Sequence, residues 1–391
     1  MNKIYFTVLL IFGTNLIFSQ EQKCNCIEEL KNTAGLIINS KSYKTQIKKR
    51  NKKTDLKEWE NEIKQEIKND SLIQFFCVGY LQKFISYIND RHNQIYIIPN
   101  DISANVPTYS KTIDTAQILN DGISGIYYAG SDKVLVEKID ENTWVGITLK
   151  SNSDEWTKGK IRLRINKTSN GEFELFEFYK NGLLFYQKNI KISKGRIHST
   201  FWNKNDNYFF IKKHNNNFTY KPINSSFDYV GIKTLKRTTK LMKEADNFYD
   251  NNLEKLTKKN LIVDLRNNGG GSIKQVKSLI KNLKRNDYIK NIFVIINFKT
   301  ASAAELTVLE LKEDERTIIV GENSKGMLEY GYGNRAYSTT TNCSGFKVVL
   351  STKHANSKFS KYEYKGIEPD FKLNNNSNWI EQIVNLEIAK K

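Results

Sequence analysis

The second half of the chain alternates between predicted strands and predicted helices. Three segments with apolar residues at helical spacing separate four apolar segments typical of buried strands, which read YVGIKTL, NLIVDL, IKNIFVIIN and TIIVGE. Alternation at this spacing predicts a mainly parallel sheet covered by helices, which is an α/β fold. In such a sheet the functional residues gather at the carboxyl ends of the strands.

The first half of the chain has two other kinds of periodicity. Residues 24–110 contain apolar residues at helical spacing, which predicts an N-terminal helical region. Residues 112–227 alternate between apolar and polar positions in short stretches separated by turn residues, which predicts a small inserted all-β domain, sandwich or barrel-like. We expect its core to contain Trp144, Trp156 and Trp202. The α/β region is then a separate domain, residues 228–391.

The chain begins with a segment typical of a secretory signal peptide, MNKIYFTVLLIFGTNLIFSQ. It carries one lysine, then an apolar run, and the small residue Ser19 closes the predicted signal peptide, residues 1–19. A membrane anchor would need about 20 apolar residues, and Thr7, Gly13 and Asn15 interrupt this one. We therefore expect an exported protein, periplasmic or extracellular, without a membrane span after signal cleavage.

Four cysteines are present, and an oxidising compartment would allow them to pair. Cys24 or Cys26 could bridge to Cys77 and tie the mature N-terminus to a helix, while the full connectivity, including Cys343, stays open. A zinc site is not predicted, because the Cys-x-Cys spacing is too tight and no histidine cluster accompanies it.

The formal net charge of +19 would suit binding to nucleic acid or to an anionic surface. However, the lysines and arginines are spread along the whole chain, among asparagines and acidic residues, and do not form one basic and aromatic block. We therefore predict a basic, solvated surface and no nucleic-acid partner.

Three consecutive glycines follow the predicted strand NLIVDL, in the sequence RNNGGGS. Glycines lose much conformational entropy on folding, so some contact should require a backbone without side chains there. Before a helix, such a backbone can bring its N–H groups close to an anion or a carbonyl oxygen. The spacing fits neither GxGxxG nor GxxxxGK[ST], which leaves an oxyanion hole or an ordinary turn.

A serine follows the next predicted strand. In the sequence FKTASAAE, Ser302 lies at the start of a predicted helix, at the same edge of the sheet as the glycines. A serine in this place could be a helix N-cap. Beside a glycine turn it is also a candidate nucleophile, because acyl-transfer serines are held exposed on strand-to-helix turns.

Together these two segments resemble the S41 family of serine peptidases, the tail-specific or C-terminal processing proteases. Members show DLRxNxGG followed by TASAxE, and the segments that begin at Asp264 and at Thr300 match these motifs in order. The resemblance implies a ClpP/crotonase-like catalytic core. It also implies that the Ser302 hydroxyl attacks a peptide carbonyl, and it assigns the oxyanion hole to the N–H groups of Gly269, Gly270 and Ala303.

The two branches of this family differ in the general base. In the Ser-Lys branch the lysine lies in a GExTxGKG turn, where this chain has Met327, with Lys325 two positions earlier. A thioether cannot usefully accept a proton at neutral pH. In the tricorn-core-like branch a histidine and a late glutamate assist the serine, and YINDRH and KYEYKGIEPD resemble its motifs, which implies His92 as base and Glu363 as its partner. Glu368 is a second candidate for the glutamate.

Two functions are compatible with these residues. The first is a secreted serine endopeptidase that acts on protein or peptide substrates through Ser302, His92 and Glu363, without a metal or another cofactor. The second is a catalytically inactive peptide-binding protein of the same fold. Arg91 lies where tricorn-like members have serine or glycine, and it could pair with a substrate carboxylate.

Overall fold

The computed structural model describes residues 25–206, 208–211 and 214–388. The predicted signal peptide, residues 1–19, lies outside the described residues. Among the helices that are described, none is long and apolar enough to cross a lipid bilayer.

Helices dominate the N-terminal region, which contains α1 (Cys26–Ile37), α2 (Lys41–Tyr43), α3 (Lys53–Asn69), α4 (Ile73–Ile85) and the short strand β1 (Gln94–Tyr96). Helix α1 begins after Asn25, whose side chain accepts a hydrogen bond from the Glu28 N–H group. Leu30, Ile63 and Phe76 come from three different helices and are buried in one apolar core. The helical periodicity of the sequence therefore corresponds to helices that pack on one another.

A disulfide between Cys26 and Cys77 joins α1 to α4. It is one of the two pairings that the sequence left open for Cys77. Cys343 is also disulfide-bonded, and Cys24 lies outside the described residues.

Replacing both Cys26 and Cys77 with serine should lower the free energy of unfolding by about 4 kcal/mol. The reason is that the bridge restrains the unfolded chain across a sequence separation of 51 residues. Urea unfolding under oxidising conditions measures the loss. A double variant as stable as the wild type would show that packing alone holds α1 in place.

The β domain contains an open antiparallel sheet with its strands in sequential order: β2 (Gly125–Ala129), β3 (Asp132–Lys138), β4 (Thr143–Lys150), β5 (Ile161–Lys167), β6 (Phe173–Phe178) and β7 (Leu184–Ile190). A hairpin of β8 (Ile192–Ser193) and β9 (Arg196–Ile197) follows. The sheet does not close into a barrel, because its edge strands β2 and β7 do not pair with each other. Helix α4 covers one of its faces, where the rings of Phe76 and Phe176 meet edge to face at 5.8 Å. Trp144 and Trp202 are buried in the core of the β domain, whereas Trp156 is buried in the core that the sheet shares with the helical region.

The last part of the chain contains the α/β domain. In chain order its elements are β10 (Phe218–Pro222), β11 (Phe227–Ile232), α5 (Thr239–Asn252), β12 (Asn260–Asp264), α6 (Lys277–Leu283), β13 (Asn291–Ile296), α7 (Ala303–Leu311), β14 (Thr317–Gly321), β15 (Tyr330–Gly331), β16 (Tyr337–Thr340), β17 (Lys347–Leu350), β18 (Lys353–His354), β19 (Phe371–Lys372) and α8 (Trp379–Ile388).

One six-stranded sheet organises this domain, in the order β10, β11, β12, β13, β14 and β19. Only the edge pair β10 and β11 is antiparallel, and the other neighbours run parallel. Adjacent residues of β12 point to opposite faces, so that Leu261 packs in the core with α5, α6 and α7, and Ile262 packs with Trp379 of α8. The predicted α/β class, a mainly parallel sheet covered by helices, is confirmed.

Pairing between β1 and β17 joins the N-terminal region to the α/β domain. Gln94 lies opposite Val349 in this antiparallel pair, and β16 completes a three-stranded sheet. The N–H group of Lys41 also donates to the Ser351 carbonyl over 2.8 Å. These contacts fix the segment just before β1, which contains His92, against the catalytic domain.

Candidate active site

Ser302 lies between β13 and α7, directly before the first residue of α7. Its backbone has φ +54° and ψ −119°, a conformation that residues with a Cβ rarely adopt. An ordinary N-cap residue has an extended backbone instead. The half-buried Ser302 is therefore held in a strained strand-to-helix turn of the kind that presents nucleophilic serines.

The glycine turn after β12 packs directly against the serine turn. The Ala301 N–H group donates to the Asn268 carbonyl over 2.9 Å. Gly270 has φ +88°, and a Cβ there would lie 2.5 Å from the Ala301 carbonyl oxygen and 2.8 Å from Ala303 N. At Gly271 a Cβ would lie 1.9 Å from another backbone oxygen. Close approach of two backbones thus explains two of the three consecutive glycines.

Two of the three N–H groups predicted to bind the oxyanion have no hydrogen-bond partner among the described residues. The N–H groups of Gly269 and Ala303 make no hydrogen bond within the described part of the chain, and both belong to the turns that meet at Ser302. The Gly270 N–H group donates to Asn268 Oδ1 over 3.0 Å. Gly270 therefore shapes the turn, while Gly269 and Ala303 have N–H groups available for a ligand.

His92 lies against the serine. The distance between His92 Nε2 and Ser302 Oγ is 3.3 Å. The backbone N–H group of His92 donates to Asp90 Oδ1 over 2.9 Å. The Tyr332 hydroxyl donates to the backbone carbonyl of His92, also over 2.9 Å. The Tyr332 ring also packs perpendicular to the imidazole, with centroids 5.2 Å apart. The histidine predicted from sequence is thus buried and held in place beside Ser302.

Two buried carboxylates lie near the imidazole. Asp90 Oδ1 is 3.6 Å from His92 Nδ1, and neither Nδ1 nor Asp90 Oδ2 has a hydrogen-bond partner among the described residues. Glu363 belongs to the same cluster, but its oxygens accept hydrogen bonds from backbone N–H groups, those of Arg91, Leu328 and Glu329. Asp90 was part of the YINDRH motif, but no role was predicted for it from sequence. The other candidate, Glu368, is exposed and pairs with Lys372.

The spacing of this cluster is slightly wider than a tetrahedral zinc ion requires. The nearest ligand atoms of Asp90, His92 and Glu363 all lie within 4.8 Å of one another. A tetrahedral zinc ion, with bonds of about 2.0–2.1 Å, brings its ligand atoms to within about 3.4 Å of each other. The Asp90 to His92 distance of 3.6 Å already exceeds this value. The three groups are better suited to sharing charge and protons.

Burial raises the pKa of the Glu363 carboxyl to about 7, and the charge of Asp90 adds to the increase, whereas the three backbone donors act in the opposite direction. In an unfolded chain the pKa of a glutamate is about 4.3. Glu363 therefore binds its proton more tightly in the folded state. The resulting stabilisation is fully present below the unfolded pKa and is lost as the pH rises through about 7.

This shift predicts how stability depends on pH. Between pH 5 and pH 8 the wild type should lose about 2.5 kcal/mol of unfolding free energy relative to Glu363→Gln, which cannot titrate. Urea unfolding of both proteins at the two pH values measures this difference. Equal pH dependence in the two proteins would contradict a raised pKa of Glu363.

Glu305 connects the serine turn to the turn that follows β14. This buried carboxylate accepts four hydrogen bonds, from Ser302 N, Ser324 Oγ, Gly326 N and Met327 N. Burial nevertheless raises its pKa above the usual range. Glu305 is the last residue of the TASAAE motif, so its position was visible in the sequence, but no role was predicted for it.

Asp264 and Arg266 form a buried ion pair at the start of the glycine turn. Arg266 Nη2 lies 2.6 Å from Asp264 Oδ2, and the Tyr229 hydroxyl donates to the same oxygen over 3.0 Å. Desolvation of the buried Asp264 acts to raise its pKa, but the charge and hydrogen bonds of Arg266, together with His214, lower the pKa below its usual range. The pair is buried and holds the start of the turn.

The family comparison agrees with this geometry. The family model described as peptidase family S41 matches residues 227–291 and 277–373, which include the glycine turn, Ser302 and Glu363. The matched region, residues 227–373, is similar to peptidase family S41. The activity class of the chain is accordingly that of a serine peptidase.

Several solved structures are similar to this chain. The photosystem II D1 C-terminal processing protease is 14% identical over 90% of this chain and 94% of its own, with a TM-score of 0.33. Mature CPAF in complex with lactacystin is 12% identical over 89% and 93%, with a TM-score of 0.39. The tricorn protease is 10% identical over 94% and 37%, with a TM-score of 0.42. At these values the similarity does not decide between the branches of the family. A search among curated proteins finds no match.

Proposed function

We propose that this chain is an exported serine endopeptidase that cleaves peptide bonds through an acyl-enzyme on Ser302. The main support is the 3.3 Å distance between His92 Nε2 and Ser302 Oγ, which lie 210 residues apart in the sequence. Export rests on the signal-peptide pattern of residues 1–19.

In the first chemical step, His92 Nε2 takes the proton of the Ser302 hydroxyl as Oγ attacks the carbonyl carbon of the substrate. The N–H groups of Gly269 and Ala303 bind the developing oxyanion, and each such donor contributes roughly 3 kcal/mol. His92 then gives the proton to the leaving amine, and the C–N bond breaks. Water, with His92 again as base, hydrolyses the ester and restores the serine hydroxyl.

The imidazolium formed in this step needs a negative charge beside Nδ1. When Nε2 accepts a proton from serine, Nδ1 already carries one and faces the carboxylates. Glu363 is the partner that the family resemblance implies, and Asp90 Oδ1 is 3.6 Å from Nδ1. We assign charge stabilisation to this carboxylate pair, with Asp90 orienting the ring and Glu363 contributing its full charge only above its raised pKa of about 7.

A fluorophosphonate probe tests the proposed nucleophile and base without a known substrate. The wild type should form one adduct, on Ser302, and His92→Ala should slow labelling by at least about 100-fold, because general-base assistance contributes about 10²–10⁴-fold. In-gel fluorescence over time gives the rate, and peptide mass spectrometry gives the site.

The matched control is His198→Ala, which removes a histidine next to the β8 and β9 hairpin and should label at the wild-type rate. A folded wild type that does not react would favour the second candidate, a catalytically inactive peptide-binding protein. Normal labelling of His92→Ala together with slow labelling of Lys325→Met would assign the base to Lys325 instead.

A further inference from the structure

Two cations share one aromatic ring beside the proposed triad. The Arg91 guanidinium carbon lies 4.5 Å from the centroid of the Tyr364 ring, and Lys188 Nζ lies 4.3 Å from the same centroid. Arg91 precedes His92 and Tyr364 follows Glu363 in the sequence. Lys188 comes from β7, so the β domain contributes to the surroundings of the catalytic cluster.

A third cation, Lys325, belongs to the same group. Its backbone N–H group donates to the Thr300 carbonyl over 2.9 Å, two residues before Ser302. Desolvation, followed by repulsion from Arg91, lowers the pKa of Lys188 to about 8. The same two causes lower the pKa of Lys325, although Lys325 as a residue is exposed, so for this lysine the repulsion from Arg91 is the relevant effect. Arg91 is therefore close enough to both lysines for their charges to interact. We call Arg91, Lys188 and Lys325 the cationic subsite.

No carboxylate forms an ion pair within 4.0 Å of these three side chains in the described part of the chain. Glu172 and Glu305 act on Lys188 and Lys325 only at longer range, and Glu305 already accepts four hydrogen bonds. Arg91 Nε is buried and has no hydrogen-bond partner among the described residues. Like charges held together in this way favour an incoming anion.

Lys188 also borders a large cavity. The cavity has a volume of about 950 Å³ and lies between α3, α4 and the β domain, with Glu66, Tyr80 and Arg164 in its wall. Some of its ionic groups are paired, as in Lys83 with Glu174. Lys188 Nζ donates hydrogen bonds to the Ser86 carbonyl over 2.6 Å and to Asn89 Oδ1 over 3.0 Å, which hold this lysine between the cavity and the Tyr364 ring.

We propose that the cationic subsite binds an aspartate or glutamate side chain of the substrate, close to the bond that Ser302 cleaves. An extended peptide advances about 3.3 Å per residue, so a group next to His92 meets a side chain within a few residues of that bond. Arg91 supplies paired donors that match a carboxylate, and the lysines add charge. This inference rests on the proposed peptidase function.

The test uses peptides that are N-acetylated and C-amidated, so that side chains carry the only carboxylates. Mass spectrometry of a library of such peptides identifies cleaved sequences, and the best acidic sequence is then made in matched Glu and Gln forms. The wild type should cleave the Glu form with a kcat/KM at least about 10-fold higher, as expected for charge-assisted hydrogen bonds. Arg91→Gln, Lys188→Gln and Lys325→Gln should each reduce this ratio, and the triple variant should bring it close to one.

Several controls separate this inference from its alternatives. Lys240→Gln, an exposed lysine of α5, should keep the wild-type ratio, and Arg91→Glu should favour a Lys form of the peptide over the Glu form. A ratio unchanged in the triple variant would overturn the proposal. If Ser302 reacts with the fluorophosphonate but no acidic preference exists, only the subsite is wrong. If Ser302 does not react, the peptidase proposal itself fails.

Discussion

Ser302→Ala should abolish peptide hydrolysis, with kcat/KM falling by at least about 10⁴-fold. The variant loses only the hydroxyl whose oxygen lies 3.3 Å from His92 Nε2. The fold should persist, because the contact that holds the turn is the hydrogen bond from the residue 302 backbone N–H group to Glu305, and alanine retains that group. Fluorescently labelled casein, with the mature protein purified from an exported form, provides the assay.

The matched control for this loss is Ser272→Ala. Ser272 lies at the end of the glycine turn, and its N–H group, which the variant retains, donates to the Leu235 carbonyl over 2.7 Å. It should therefore keep activity close to the wild type. Circular dichroism and urea unfolding must show that both variants are folded. More than about 1% residual activity in folded Ser302→Ala would contradict the assignment, because a nucleophile cannot be dispensed with at that level.

Gly270→Ala should lower the free energy of unfolding by about 3 kcal/mol or more and should also remove fluorophosphonate labelling. The added methyl group would lie 2.5 Å from the Ala301 carbonyl oxygen and 2.8 Å from Ala303 N, and both atoms are backbone atoms that cannot rotate away. The left-handed backbone, at φ +88°, adds about 1 kcal/mol for a residue with a Cβ. Relief of the clash would separate the two turns and displace Ser302 from His92.

Gly171→Ala separates the cost of the left-handed backbone from the cost of the steric clash. Gly171 has φ +81°, similar to Gly270, but a Cβ there meets no atom within 4 Å. It should cost only about 1 kcal/mol and leave labelling unchanged. Urea unfolding of both variants gives the comparison. Equal costs at the two positions would show that the glycine and serine turns are not in close contact.

The sequence alone predicted the sheet and the meeting of its two functional turns. Strands such as NLIVDL and IKNIFVIIN are marked by composition and by the helices between them, and parallel neighbours place their carboxyl ends at one edge. The glycine turn and Ser302 follow β12 and β13, which are adjacent in the sheet. Local pattern and topology rules were sufficient for this half of the site.

The β domain shows where local pattern was insufficient. Its period-two alternation correctly indicated strands, but it did not show which layer would cover them. Helix α4 packs on the sheet, and Phe176 belongs to the core of the helical region. Because an apolar face is covered by whichever partner the whole fold supplies, alternation alone cannot distinguish a sandwich or barrel from a sheet packed on helices.

Around His92, too, the sequence indicated one part of the arrangement and only the tertiary structure showed the other. The family resemblance implied His92 and Glu363 from short motifs, but only the tertiary structure shows Asp90 Oδ1 at 3.6 Å from the imidazole and Glu363 bound by backbone N–H groups. The sequence determined the strands, the turns and the residue types, because these depend on neighbours along the chain. Only the tertiary structure, in which β1 pairs with β17, brings Asp90 and His92 to Ser302, because that contact joins segments more than 250 residues apart and depends on the packing of the whole molecule.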